Sequence, residues 1–145
     1  MTNSNIIQTL ESVLANSYAI AIKTQNYHWN VTGPNFKQLH LLFEEQYNEI
    51  LVAIDNVAER IRTLGEKVDG NLSFYKENSK YKPGNHNLSD KEMIQDLIND
   101  NDLLSNDLAD FIKIAQEGGD EGTADLYIQR LQIHQKASWM LKSSL

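Results

Sequence analysis

From Phe36 to Leu64 the apolar residues Phe36, Leu39, Phe43, Ile50, Ile54, Val57, Ile61 and Leu64 recur at helical intervals. This spacing lines one face of a single long helix, which stops at Gly65. An element so long and so one-sided cannot bury its stripe alone, and the rest of the chain supplies partners of the same kind. Ile6, Leu10, Val13, Leu14, Ala21 and Tyr27 predict a first helix over about residues 4 to 30. Thr32-Gly33-Pro34 interrupts it, with Pro34 expected as the first residue of the second helix. Ser89 and Glu92 form a capping box for a third long helix, carried by Met93, Leu97, Leu104, Leu108, Phe111 and Ala115 and ended by Gly118-Gly119. A fourth runs from about Gly122 to Leu141, with Leu126, Leu131, Trp139 and Met140.

Four long helices predict an all-α four-helix bundle, one domain over residues 1–145. The short links between the first and second helices, and between the third and fourth, make those neighbours antiparallel. Residues 65–88 have no sustained period, although Leu72, Phe74 and Tyr75 can seed a short helix. A helix of about 30 residues spans about 45 Å, and about 24 extended residues reach roughly 80 Å. The middle link can therefore cross the whole bundle and leave the second and third long helices parallel. The competing topology is an up-down bundle with a loose middle loop, and long structureless loops are uncommon in compact domains.

The chain has no cysteine, which excludes disulfides, thiolate zinc sites and a cysteine nucleophile and suits a reducing compartment. Met1 to Gln8 lacks a basic stretch followed by an apolar run, and no segment approaches the length of a membrane span. The expected location is cytoplasmic. The net charge of −7 favours cations over nucleic acid as partners, although acidity alone also serves solubility.

The second helix carries two pairs of polar residues, His40 with Glu44 and Asp55 with Glu59, each four apart and so on one face. At roughly 100° per residue the pairs differ by only about 60° around the axis, yet they lie roughly 22 Å apart along it. Metal–ligand bonds are about 2 Å long, so one chain cannot bring both pairs to one ion. An antiparallel copy of the helix, with its two-fold axis near Glu49 and Ile50, places His40 opposite Glu59 and Glu44 opposite Asp55. His28, near the end of the first helix, can return to His40 through the Thr32-Gly33-Pro34 turn. Imidazoles with carboxylates suit iron(II), and zinc would also accept them. The spacing leaves plainer readings open: Asp55 and Glu59 pairing with Arg60 or Arg62, and a helix-end histidine that is merely hydrogen-bonded.

The stretch His28-Trp29-Asn30-Val31-Thr32-Gly33-Pro34, then Phe36, Leu39-His40, Phe43-Glu44-Glu45-Gln46-Tyr47, Asp55, Ala58-Glu59-Arg60-Ile61 and Thr63-Leu64-Gly65, resembles the signature of the Dps mini-ferritins. The likeness continues through Thr123-Ala124-Asp125, His134-Gln135-Lys136 and Trp139-Met140-Leu141. It implies a ferritin-like bundle with one long crossover, assembled as a hollow homo-dodecamer. The implied activity is that of a ferroxidase, which oxidises Fe(II) with hydrogen peroxide, or more slowly dioxygen, and stores ferric mineral against oxidative stress. His28, His40 and Glu44 of one chain would bind iron with Asp55 and Glu59 of its mate across the two-fold interface. The family often has Asp where this chain has Glu44. No His here follows a Glu by three residues, unlike the intra-bundle sites of larger ferritins.

The resemblance further implies that Trp29 can accept an oxidising equivalent, with interface packing as its plainer role. It also implies that Asp120, Glu121 and Asp125 line an acidic three-fold pore for iron, where the plainer reading is a helix start favoured by its dipole. The alternative function is a DNA-compacting or otherwise non-catalytic shell. Met1-Thr2-Asn3-Ser4-Asn5 has no basic residue, and Lys76, Lys80 and Lys82 make a modest patch, so DNA binding is expected to be weak or absent. His86 and His134 are expected to be surface or structural.

Overall fold

The computed structural model describes residues 2–145, so of the Met1–Asn5 start on which the DNA expectation rests, Met1 lies outside the described residues. Five helices follow one another: α1 (Thr2–Asn30), α2 (Phe36–Thr63), α3 (Leu72–Asn78), α4 (Asp90–Glu117) and α5 (Glu121–Lys142). The described residues contain no strand, and none of their helices is long and apolar enough to cross a membrane. The fold is the all-α bundle with a short helix in its crossover.

The helix ends follow local chemistry, with one correction. Pro34 is not the first residue of the second helix; it sits in a turn whose Gly33 carbonyl accepts from the Phe36 amide at 3.2 Å. Pro34 is the second residue of that turn, where its fixed φ is favourable, and Gly33 takes φ +116, open to glycine. The helix begins only at Phe36. The Ser89–Glu92 capping box forms in both directions, at 3.2 and 3.0 Å. At the other hairpin Gly119 has φ +75, and the Gly119 and Asp120 amides close the end of α4 on Gln116 and Ala115. Asp120 then caps α5, accepting from the Thr123 amide at 2.9 Å, so α5 starts one residue before the expected Gly122.

The crossover climbs α1. Tyr75 stacks on Tyr18, the Lys80 amide donates to Asn16 at 3.0 Å, and the Asn85 amide donates to the Tyr27 hydroxyl at 3.3 Å. It arrives beside the α1–α2 turn, where the Asp90 carboxylate lies against Gly33. Helix α2 thus runs down to the end where the crossover starts, and α4 begins again at the top. The two are parallel, as one long crossover requires.

Two apolar clusters fill the bundle. One holds Leu10, Leu14, Ile54, Val57, Leu104 and Tyr127; the other holds Tyr27, Leu39, Phe43, Met93, Leu97 and Leu141. Buried polar side chains lie at mid-height. Lys23 of α1 pairs with Asp96 at 3.3 Å and Asp100 at 2.8 Å on α4, and Tyr27 donates to Asp96. In a second network, Arg130 of α5 forks onto Glu49 of α2 at 2.5 and 3.0 Å and donates to His134 Nε2 at 3.0 Å. His134 Nδ1–H donates to Asn101 of α4 at 2.8 Å. His134 is buried and structural as expected, and His86 is exposed.

Burial, aided by the Arg130 charge, pushes the His134 pKa from 6.5 down to about 3. The unfolded chain protonates this residue near 6.5 and the folded chain does not until about 3. Its contribution to stability is therefore complete above about 6.5 and is lost as pH falls, by at most about 1.4 kcal/mol per pH unit. His134→Gln is expected to flatten the pH dependence of the urea midpoint between pH 6.5 and 4. An unchanged slope would remove His134 from the acid sensitivity of the fold.

Candidate metal half-site and its interface

The turn after α1 brings His28, in the last turn of α1, against His40, in the first turns of α2. Their rings stack at a centroid distance of 3.9 Å and an interplanar angle of 14°. Phe36 stacks on the other face of His40 at 5.0 Å, and the edge of Tyr47 meets His28 at 5.3 Å. The two histidines also exchange hydrogen bonds. His28 Nδ1 meets the His40 carbonyl at 2.7 Å, and His40 Nδ1 meets the His28 carbonyl at 2.7 Å. A carbonyl only accepts, so each Nδ1 carries a proton, and in the neutral imidazole the lone pair is on Nε2. Metal-binding histidines are commonly fixed by such a bond through their other nitrogen.

Glu44, one turn beyond His40 and half-buried, places Oε1 3.9 Å from His28 Nε2. The longer side chain thus reaches His28. Asp55 and Glu59 lie further down the same helix, both exposed. The arginines that could have neutralised them are engaged elsewhere. Arg60 binds Asp120 at 2.7 Å and Thr123 at 3.0 Å, and Arg62 donates to the Glu66 carbonyl at 3.1 Å. Within one chain, no three described His, Asp or Glu side chains converge closely enough to hold an ion.

The face of α2 that carries Glu44, Asp55 and Glu59 also exposes Leu41, Leu51 and Val52, with Ile22 of α1 nearby. Taken at roughly 100° per residue, these positions fall within one side of the helix. Val52 is 69% exposed and Ile22 57%. Exposed apolar side chains clustered in this way are characteristic of interaction surfaces. Trp29, beside His28 in sequence, is 64% exposed.

The acidic segment before α5 divides in two. Glu121 and Asp125 are exposed, and Asp125 accepts from Gln129 at 2.9 Å. Asp120 is committed to the helix cap and to Arg60. Its own burial works to raise its pKa, but the Thr123 bonds and the Arg60 charge outweigh this and hold it below the usual range. Gly122 leaves the space for that ion pair, since a Cβ there would meet the Arg60 guanidinium at 2.7 Å.

Sequence reasoning did not single out Tyr47, Lys23 or Arg130. Tyr47 shares a helix face with Glu44 at three-residue spacing, and that spacing was the available signal.

A ferritin-like domain model matches residues 7–145. The DNA protection during starvation protein of Brevibacillus brevis is 36% identical over 144 residues, covering 96% of this chain and 97% of the relative. The Dps of Thermosynechococcus elongatus superposes with a TM-score of 0.95 at 36% identity, over 98% of this chain and 90% of that one. The Dps of Vibrio cholerae O1, described as a member of a superfamily of ferritin-like diiron-carboxylate proteins, gives 0.93 at 31% identity over 98% and 89%.

Val52→Asp would place a further charge among the apolar residues of this face. The expected result by sedimentation is a shift from assembled protein toward smaller species, with helix content retained. An unchanged assembly would exclude the Val52 face as an interface.

Proposed function

The chain belongs to the ferritin-like family and to its Dps branch, and we propose that it oxidises Fe(II) at sites shared between two subunits and stores the product. The observation that carries this reading is the reciprocal histidine lock, which turns both Nε2 atoms away from the carbonyls and leaves that of His28 3.9 Å from the Glu44 carboxylate. An isologous contact through the exposed α2 face adds Asp55 and Glu59 of the mate, giving two equivalent sites per dimer. Twelve copies form the hollow shell that holds the ferric mineral.

The substrate is Fe(II), and zinc can compete for the same ligands. His28 and His40 offer neutral nitrogen donors. Glu44, with Asp55 and Glu59 of the mate, offers negative charge that favours the ferric product over the ferrous substrate. Hydrogen peroxide accepts two electrons and two protons to give two waters, so each peroxide oxidises two Fe(II). Dioxygen is the slower oxidant. Trp29, next to His28 in sequence, supplies an electron when only one Fe(II) is present. Glu121 and Asp125, repeated around a three-fold axis, attract Fe(II) to a pore, and Asp120 fixes the helix start that presents them. The protein acts in the cytoplasm against oxidative stress.

Asp55→Ala/Glu59→Ala is expected to abolish peroxide-driven iron oxidation, and so is His28→Ala/His40→Ala. Co-assembling the two variants in equal amounts restores about a quarter of the sites, because each mixed dimer carries one wild-type site and one doubly damaged site. Iron oxidation followed by absorbance checks both points. Full activity of the Asp55→Ala/Glu59→Ala variant in an intact shell would overturn the assignment. Failure of the mixture to recover would overturn the sharing between chains.

A further inference from the structure

Ferritin-like diiron bundles hold metal at mid-height, on Glu and Glu-x-x-His side chains that project inward from four helices. The same level of this bundle carries metal-ligating side chains from three helices: Glu49 on α2, Asn101 on α4 and His134 on α5. They interrupt an interior that is apolar on both sides. The atoms a metal would use are taken by one cation. Arg130 contacts both oxygens of Glu49, at 2.5 and 3.0 Å, and His134 Nε2 at 3.0 Å.

The His134 tautomer is already the ligating one. Its Nδ1–H is held by Asn101, as those of His28 and His40 are held by carbonyls, and its Nε2 accepts from Arg130. Burial keeps this imidazole neutral. Beside the network lies a cavity of about 230 Å³, bounded by Glu45, Gln46, Glu49, His134, Ile50 and Met140. It has room for water and for a route from the surface, and Glu45 stands one turn before Glu49 on the same face of α2. Glu49 and His134, with water from this cavity, would make an oxygen- and nitrogen-donor set of the kind zinc accepts.

We propose that the Arg130 guanidinium is a resident cation that fills a latent divalent-metal site inside the bundle, formed by Glu49 and His134, and closes it to metal. It supplies the positive charge that a metal supplies in other bundles of this fold, and it answers the half-buried Glu49 and the buried His134 without an ion. That the closure leaves Fe(II) to the subunit interface rests on the function proposed above. The site itself does not.

The test uses Zn²⁺ and a background of Asp55→Ala/Glu59→Ala, in which the interface acids are gone. Native mass spectrometry counts the metal. Arg130→Ala in this background is expected to bind one more Zn²⁺ per chain than its parent, and His134→Gln added to it removes that ion. An assembled Arg130→Ala protein with no extra Zn²⁺ would overturn the proposal. So would Zn²⁺ bound through His134 while Arg130 is in place. Should Arg130→Ala not assemble, it and Arg130→Gln are refolded with Zn²⁺. Recovery that depends on Zn²⁺ supports the latent site, and no recovery overturns it. Because the readout is Zn²⁺ bound at His134, a failure of interface iron oxidation leaves this result untouched.

Discussion

Helix α2 is continuous from Phe36 to Thr63, and its stiffness sets the terms for everything around it. A rigid helix holds His40 and Asp55 roughly 22 Å apart. No rotamer closes that gap, so the polar pairs at its two ends cannot serve one ion within a chain. Of the proposed site, what the chain can do alone is finish one half. The tight turn through Gly33 and Pro34 folds α1 back so that His28 and His40 stack and bond to each other's carbonyls. That half is complete within one chain, and Phe36 and Tyr47 hold its rings. The other half, Asp55 and Glu59, is left exposed, its neighbouring arginines drawn to Asp120 and Glu66.

The bundle interior meets a related constraint. Its two apolar clusters are separated by buried charges, and a buried charge is tolerated only when paired. Lys23 answers Asp96 and Asp100, and Arg130 answers Glu49. Removing Lys23 strands the buried Asp100, and removing Glu49 strands the buried Arg130; leaving a buried charge without its partner typically costs about 3–5 kcal/mol. These pairs tie α1 to α4 and α2 to α5, so they also fix how the two hairpins meet. The apolar clusters alone would specify that docking less strictly, because Leu, Ile and Val tolerate repacking.

Much of this was written in local sequence. The Ser89–Glu92 capping box, the Gly65 and Gly118-Gly119 stops and the unpatterned crossover each depend on neighbours in sequence, and each appears where the pattern placed it. Pro34 misled because a proline with fixed φ fits a turn as well as a helix start, and a turn closed from Gly33 prevailed. The pairing of His40 with Glu44 is visible at four-residue spacing. The carbonyl lock on their partner His28 is not, since it needs two backbone segments distant in sequence. The pairing of Arg130 with His134 inside the bundle escapes for a different reason. Together with Ser138 they put a polar row on the buried side of α5, and a search for apolar periodicity reads such a row as solvent-facing.

The acidic segment before α5 shows how one residue can divide an apparent cluster. Asp120, Glu121 and Asp125 look equivalent in sequence, but Arg60 reaches only Asp120, through space that Gly122 leaves open. Asp120 is thereby neutralised and spent on the helix cap, whereas Glu121 and Asp125 keep their charge toward solvent. The same arginine follows Glu59 in sequence, and on a helix adjacent residues point apart. By turning toward Asp120, Arg60 ties the end of α2 to the α4–α5 hairpin and leaves the Glu59 carboxylate without a neighbouring cation to quench it. One ion pair therefore settles which acids remain available at two separate places on the surface.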